Sequence, residues 1–171
     1  IISGNTRDRT GGTRSWRLDW WSDIVGYTVS GEHRWGGKGF GVNLADTDGY
    51  QVDSDGKLRS PHNGHMTILA RSGVIGLLLW IAVQTSWFIY MIQSWRRAKK
   101  SRSVWWARLF EGVLSFWLAF LVNASFDVYL EGPMGGVWYW VIMGVGVGAC
   151  AVHGNSHAIA GAHGYSGVKT A

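Results

Sequence analysis

Apolar and polar positions divide the chain into two regimes. From Gly73 to Ile92, twenty consecutive residues carry no charge. At about 1.5 Å of rise per helical residue this run reaches roughly 30 Å, the thickness of a hydrocarbon core. A second run, 112–130, is interrupted by Asn123 and Asp127, and a third, 135–152, is again uncharged. One such run also suits a helix buried in a soluble core, but three in close succession predict membrane spans. Upstream the pattern changes. Trp16, Trp20 and Ile24 recur at i, i+4 and i+8, and Trp21 with Val25 widens the stripe. That spacing predicts an amphipathic helix over 15–29, lying in the membrane interface or packed on the bundle. Residues 31–60, rich in Gly and Asp, predict an ordered loop. Residues 61–72 predict a helix that runs into the first span. The Gly, Ala, Ser and His of 153–171 predict a flexible tail. The fold class expected is all-α: a multi-pass membrane protein with about three transmembrane helices, and a water-facing region 1–72 containing the amphipathic helix.

Composition agrees with this division. The 171 residues are 47% hydrophobic and 14% aromatic, and only 16% are charged, against about 25% in a typical soluble domain. The aromatic load excludes a disordered chain. The near-zero mean hydropathy averages a polar 1–60, with eight basic and eight acidic residues, and an apolar 73–152. The net charge of +5 does not point to nucleic acid, because of where it lies. Arg96, Arg97, Lys99, Lys100, Arg102 and Arg108 sit together between two apolar runs. A basic cluster there is a topology signal, and it puts 94–108 in the cytoplasm. Residues 1–72 and the turn 127–134 then face outward, and the tail inward. Trp95, Trp105 and Trp106 flank the cluster as an aromatic belt would. The single Cys150 excludes an internal disulfide and a multi-cysteine metal site. The chain opens Ile-Ile-Ser, with no signal-peptide pattern, and is expected to be the carboxyl-terminal piece of a longer protein.

Several motifs carry candidate chemistry. The stretch 35–41, Trp-Gly-Gly-Lys-Gly-Phe-Gly, lacks the Ser or Thr of a Walker A loop and the strand–helix setting of a dinucleotide site. It is expected to be a tight loop using positive φ or a close approach to a membrane helix. Asp46, Asp48, Asp53 and Asp55, each pair followed by Gly49 or Gly56, hint at calcium. Neither frame supplies the first EF-hand ligand, so solvated turns are expected. His62 and His65 are three apart and fit one helix face, but no third zinc ligand is suggested nearby; no metal is expected. His153, His157 and His163 are read as solvated. Arg14 and Arg17 open the amphipathic helix, where a guanidinium either contacts headgroups or recognises a phosphate. Asp127 and Glu131 are expected either to be solvated or to partner Arg14, Arg17 or Arg71. Gly144 and Gly148 are read as a helix-packing pair.

In chain order these features are Arg-Leu-Asp-Trp-Trp (17–21), Gly-Lys-Gly-Phe-Gly (37–41), Pro-His-Asn (61–63) and Gly-Val-Ile-Gly (73–76). Val-Asn-Ala-Ser-Phe-Asp (122–127) and Leu-Glu-Gly-Pro (130–133) follow. The series resembles the carboxyl-terminal part of the O-antigen ligase and O-antigen polymerase superfamily, over roughly residues 6–150. The resemblance implies a bacterial inner-membrane enzyme with a periplasmic loop over 1–72. It would transfer a glycan from an undecaprenyl-pyrophosphate donor to lipid A–core or to another carrier-linked repeat unit. It implies no nucleotide sugar, no cofactor and no essential metal. Membrane lipids are the surrounding partners, and nucleic acid is not one. The family's loop histidine maps onto His62, with Asn63 beside it, and its loop arginine onto Arg17. Arg14 is a second basic contact. Arg71 stands where many members carry an acidic residue, and is expected to add a cation for the pyrophosphate. Further spans upstream belong to the family's donor groove, so the piece alone is expected to be inactive.

The chemistry expected is glycosyl transfer. Arg17 stabilises charge on the leaving pyrophosphate. His62 acts as general base on the acceptor hydroxyl, or binds the pyrophosphate; an imidazole ordinarily titrates near pH 6.5. Two rival readings stand beside it. A transporter or flippase component for lipid-linked glycans calls for charged residues deep within the spans. A non-catalytic membrane subunit calls for a site that tolerates replacement of His62 and Arg17.

Overall fold

The computed structural model describes residues 13–51, 58–127, 130 and 132–165. Side chains of Thr13, Met134 and 156–165 are outside the description. Helices in chain order are α1 (Thr13–Val25), a π-helical turn (Gly26–Ser30), α2 (Leu44–Thr47), α3 (Gly64–Lys100), α4 (Val104–Ala124) and α5 (Pro133–Tyr165). No strand occurs among the described residues. Three helices, α3, α4 and 135–155 within α5, are long and apolar enough to cross a membrane. The described residues therefore form an all-α membrane protein with three such helices.

The described residues fall into two compact units. One holds residues up to Trp80 together with 124–127, and the other holds 81–123, 130 and 132–165. In the first, α1 buries Trp20 and Ile24, one helical turn apart, against Leu44, Ala45, Tyr50, Leu69 and Ala70. Each such large apolar side chain contributes on the order of 1.5–3 kcal/mol when fully buried. Val25, predicted on the stripe, is 40% exposed.

The start of α3 is tied to the glycine-rich loop. Gly73 has φ 65° and ψ −165°, a conformation that breaks the helix. Val74 N–H would ordinarily donate to Ala70 O. It donates instead to Arg34 O at 2.8 Å, and Ala70 O accepts from Lys38 N–H at 2.8 Å. Arg71 O accepts from Gly39 N–H at 2.9 Å. The loop thus supplies the partners that the break removes. The approach requires glycine on both sides. A Cβ on Gly37 (φ 64°) would lie 2.4 Å from Arg71 C, and one on Gly73 would lie 2.5 Å from Arg34 O.

In the second unit, Gly146 of α5 lets three helices meet. A Cβ there would lie 2.8 Å from Trp87 Cζ2, 3.1 Å from Met91 Sδ and 3.3 Å from Val113 Cγ1. The packing glycine is therefore Gly146. Gly144 and Gly148, expected in that role, are exposed and face open space. Gln84 is the polar node of this unit. Its Oε1 accepts from Trp117 Nε1 at 2.9 Å and from the Tyr139 hydroxyl. Trp87 Nε1 donates to Met143 O at 3.0 Å.

Three boundaries differ from the sequence reading. The basic stretch 94–108 is no loop: α3 runs to Lys100, α4 begins at Val104, and only 101–103 turn. Lys and Arg are good helix formers and suit a helix C-terminus. The second span ends at Ala124 rather than 130, because Ser125–Asp127 turn out of it. The tail predicted flexible from 153 continues α5 to Tyr165. Its alanines favour helix, and no proline interrupts it. His153, read as solvated, is buried, with ring centroids 5.4 Å from Trp106 and 5.6 Å from Phe110.

Replacing Gly73 by Ala should destabilise the first unit by about 2 kcal/mol or more, since its backbone conformation is nearly glycine-only and the space is filled. Thermal unfolding in detergent, with Gly144→Ala as an open-space control, measures it. Equal midpoints for the two variants would contradict the account.

Candidate functional site

The site centres on the Pro-His-Asn corner that precedes α3. Asn63 is the N-cap of that helix. Its Oδ1 accepts from His65 N–H at 3.0 Å and Met66 N–H at 3.1 Å, satisfying two donors that a helix start leaves open. Its carbonyl accepts from Thr67 N–H and Thr67 Oγ1, at 2.9 and 3.0 Å. Asn63 is buried. Asn63, expected to bind substrate, has its side-chain oxygen engaged by the helix start.

His62, the residue before the cap, takes φ 52°. A non-glycine residue in that region is uncommon, and His is among the types that tolerate it. The corner is held by Trp21, whose Nε1 donates to Pro61 O at 2.9 Å. The His62 ring lies 6.5 Å from that of Trp16. Its Nδ1 stands 3.7 Å from Asp127 Oδ1, and the two side chains are 32% and 51% exposed. His62 thus has a carboxylate neighbour and an accessible face. Lying before the cap, it shares no helix face with His65. The His65 Nδ1 accepts from Trp80 Nε1 at 3.2 Å.

Arg17 comes from the same helix as the two tryptophans at the corner. It precedes Trp21 by one turn, so the two share a face of α1. It is half-buried, and its Nε is buried without a hydrogen-bond partner among the described residues. A buried donor left open costs about 1–3 kcal/mol. Arg14, a turn earlier, is exposed.

Arg71 has a structural role in the loop. Its Nη1 donates to the carbonyls of Gly39, Phe40 and Val42, at 3.3, 3.3 and 3.0 Å. It clamps the glycine-rich loop onto α3, an adequate reason for a cation where an acidic residue was anticipated. Asp127, expected either to be solvated or to partner an arginine, is 51% exposed, and its Oδ1 stands beside His62 Nδ1. Glu131 lies outside the described residues.

Reading the sequence missed one buried network altogether. Asp48, taken for a solvated turn residue, has a side chain only 2% exposed. It pairs with Lys38 Nζ and accepts from Trp20 Nε1 at 2.6 Å and Tyr27 Oη at 3.2 Å. Lys38 Nζ also stands 4.3 Å from the centre of the Tyr27 ring. This carboxylate is committed to the loop and not to an ion. Asp53 and Asp55 lie outside the described residues. Among the described residues, no group of three or more His, Cys, Asp or Glu is placed to hold a metal.

No family model, no curated protein and no solved structure matches this chain.

Burial holds the Tyr27 hydroxyl well above its ordinary value of 10.0, and the Asp48 carboxylate pushes it the same way. An unfolded tyrosine ionises from about pH 10 upward, while the folded one resists. Its contribution to stability is complete below that pH and is lost as the pH rises past it. Unfolding midpoints of wild type should therefore fall more steeply above pH 10 than those of Tyr27→Phe. Separately, Asp48→Asn should cost about 3–5 kcal/mol, because it strands the Lys38 cation; chemical denaturation measures it.

Proposed function

We propose that this protein is a glycosyltransferase of the bacterial inner membrane. It moves a glycan from undecaprenyl pyrophosphate to lipid A–core or to a carrier-linked repeat unit, and its first unit faces the periplasm. The observation that carries the reading is the His62 corner: an accessible imidazole beside Asp127, next to a helix bearing an arginine with an open, buried donor. The sequence resemblance supplies the substrate class.

In the proposed reaction the acceptor hydroxyl attacks the anomeric carbon of the donor. The bond from that carbon to the pyrophosphate oxygen breaks, and the carrier pyrophosphate leaves with the electron pair. The acceptor proton passes to His62 Nε2, since Nδ1 faces Asp127. The carboxylate orients the ring and stabilises the imidazolium that forms. Arg17 offers its guanidinium to the leaving phosphate, where charge develops. Attack opposite the leaving group inverts the anomeric centre. Arg14, exposed a turn away, is a second phosphate contact. The transporter reading calls for charge deep in the spans; among the described residues the buried polar side chains there are Gln84, Ser94 and, near the end of the third apolar helix, His153.

The test is transfer in membranes carrying the complete gene product at matched expression, supplied with a labelled undecaprenyl-pyrophosphate glycan. His62→Ala and Arg17→Ala should each lower transfer about a hundredfold or more, as loss of a general base or of a transition-state charge contact does. Asp127→Asn should lower it less. Label on lipid A–core identifies a ligase, and label lengthening on the carrier identifies a polymerase. Full transfer by both alanine variants would sink the site. Absence of transfer by wild type across a range of acceptors would favour the transporter or the non-catalytic subunit.

A further inference from the structure

Arg96, Arg97, Lys99, Lys100, Arg102 and Arg108 lie where α3 ends and α4 begins, and all six are exposed. Counted with Glu111, this stretch holds the whole of the chain's formal net charge of +5. The six cations are not equivalent. Glu111 accepts from Arg108 Nη1 at 2.9 Å and from Trp95 Nε1 at 3.1 Å. Lys99 Nζ lies 3.9 Å from the same carboxylate and 5.0 Å from the Trp95 ring. One acid thus engages two of the cations. Arg96, Arg97, Lys100 and Arg102 have no carboxylate within ion-pair distance among the described residues. Arg96 and Lys100 stand one turn apart on one face of α3.

The backbone of Arg102 is a second, independent observation. The end of α3 is closed by two hydrogen bonds, Ser103 N–H to Ala98 O at 3.0 Å and Arg102 N–H to Lys99 O at 3.1 Å. This closure demands a left-handed residue, and glycine is its usual occupant. Here the position holds Arg102, at φ 55°. Local sterics disfavour a side chain in that conformation, so helix termination alone does not select arginine. The next residues, Val104 and Trp105, are 70% and 66% exposed.

The turn joins two helices that are each long and apolar enough to span a membrane, so it sits at headgroup level. The charge complementary to four open cations at that level is lipid phosphate, and an exposed indole suits the same depth. We propose that the α3–α4 turn binds anionic phospholipid headgroups, with Arg102 at the centre and Arg96, Arg97 and Lys100 around it. The proposal uses no residue of the transferase site and does not depend on that reading.

The test is thermal unfolding and native mass spectrometry of the purified full chain in micelles. Phosphatidylglycerol, phosphatidylcholine or inorganic phosphate is added in turn. Phosphatidylglycerol should raise the wild-type midpoint and remain bound, and phosphatidylcholine should not match it. Arg102→Gly should weaken phosphatidylglycerol binding about fivefold, the effect of one interfacial cation. Its midpoint without lipid should be no lower than wild type, because glycine relieves the backbone. A misfolding variant would lower both. Combined Arg96→Gln, Arg97→Gln and Lys100→Gln should weaken binding about tenfold or more. Equal response to the two lipids, unchanged affinity in both variants, or an equal effect of inorganic phosphate would overturn the proposal.

Discussion

The first unit depends on the exchange of hydrogen bonds at Gly73. A helix crossing from water toward an apolar run cannot simply stop its ladder, because carbonyls and amides left open there cost free energy. The break is tolerated because the loop 34–39 meets it with an amide for Ala70 O, an amide for Arg71 O and a carbonyl for Val74 N–H. The remaining contacts of the loop follow from that seam. Arg71 reaches back over three loop carbonyls, and Lys38, placed by Gly37 and Gly39, reaches Asp48. Asp48 in turn holds Trp20 and Tyr27, which fix α1. The helix that carries Arg17 is therefore oriented through a chain of contacts that starts at a glycine in α3.

The second unit solves a different problem, that of polar groups among apolar helices. Gln84 places one oxygen between Trp117 and Tyr139, so α3, α4 and α5 each contribute to one node. The indole of Trp87 donates to a carbonyl of α5. Close approach at Gly146 brings the backbone of α5 within reach of these side chains. Packing and hydrogen bonds, more than hydrophobic burial, distinguish one helix pairing from another where the surroundings are themselves apolar.

The helices were legible because their signals are local. Run length marks the three apolar helices, and the Trp16, Trp20, Ile24 spacing marks α1. The glycine-rich loop was legible as one needing positive φ and close approach, and Gly37 uses both. Partners distant in sequence were not legible. Nothing near Asp48 distinguishes a buried carboxylate from a solvated turn, because its cation is ten residues away across a loop. The roles of Asn63 and Arg71 were obscured for the same reason. Neither the cap that Asn63 makes nor the loop carbonyls that Arg71 meets carries a local sequence signal. Gly144 and Gly148 matched a packing pattern, yet the face that packs is set by where α3 and α4 lie, and that selects Gly146.

The distinction between structural and available cations follows from what already receives their hydrogen bonds. Lys38 and Arg71 are cations of the first unit whose partners belong to the protein. Each holds a loop, and an anion would have to compete with those partners. Arg17 differs, because its Nε is buried and open. Burial removes the water that would otherwise satisfy the donor, and among the described residues nothing replaces it. His62 carries a parallel cost in its left-handed backbone, beside a carboxylate and with a face left accessible.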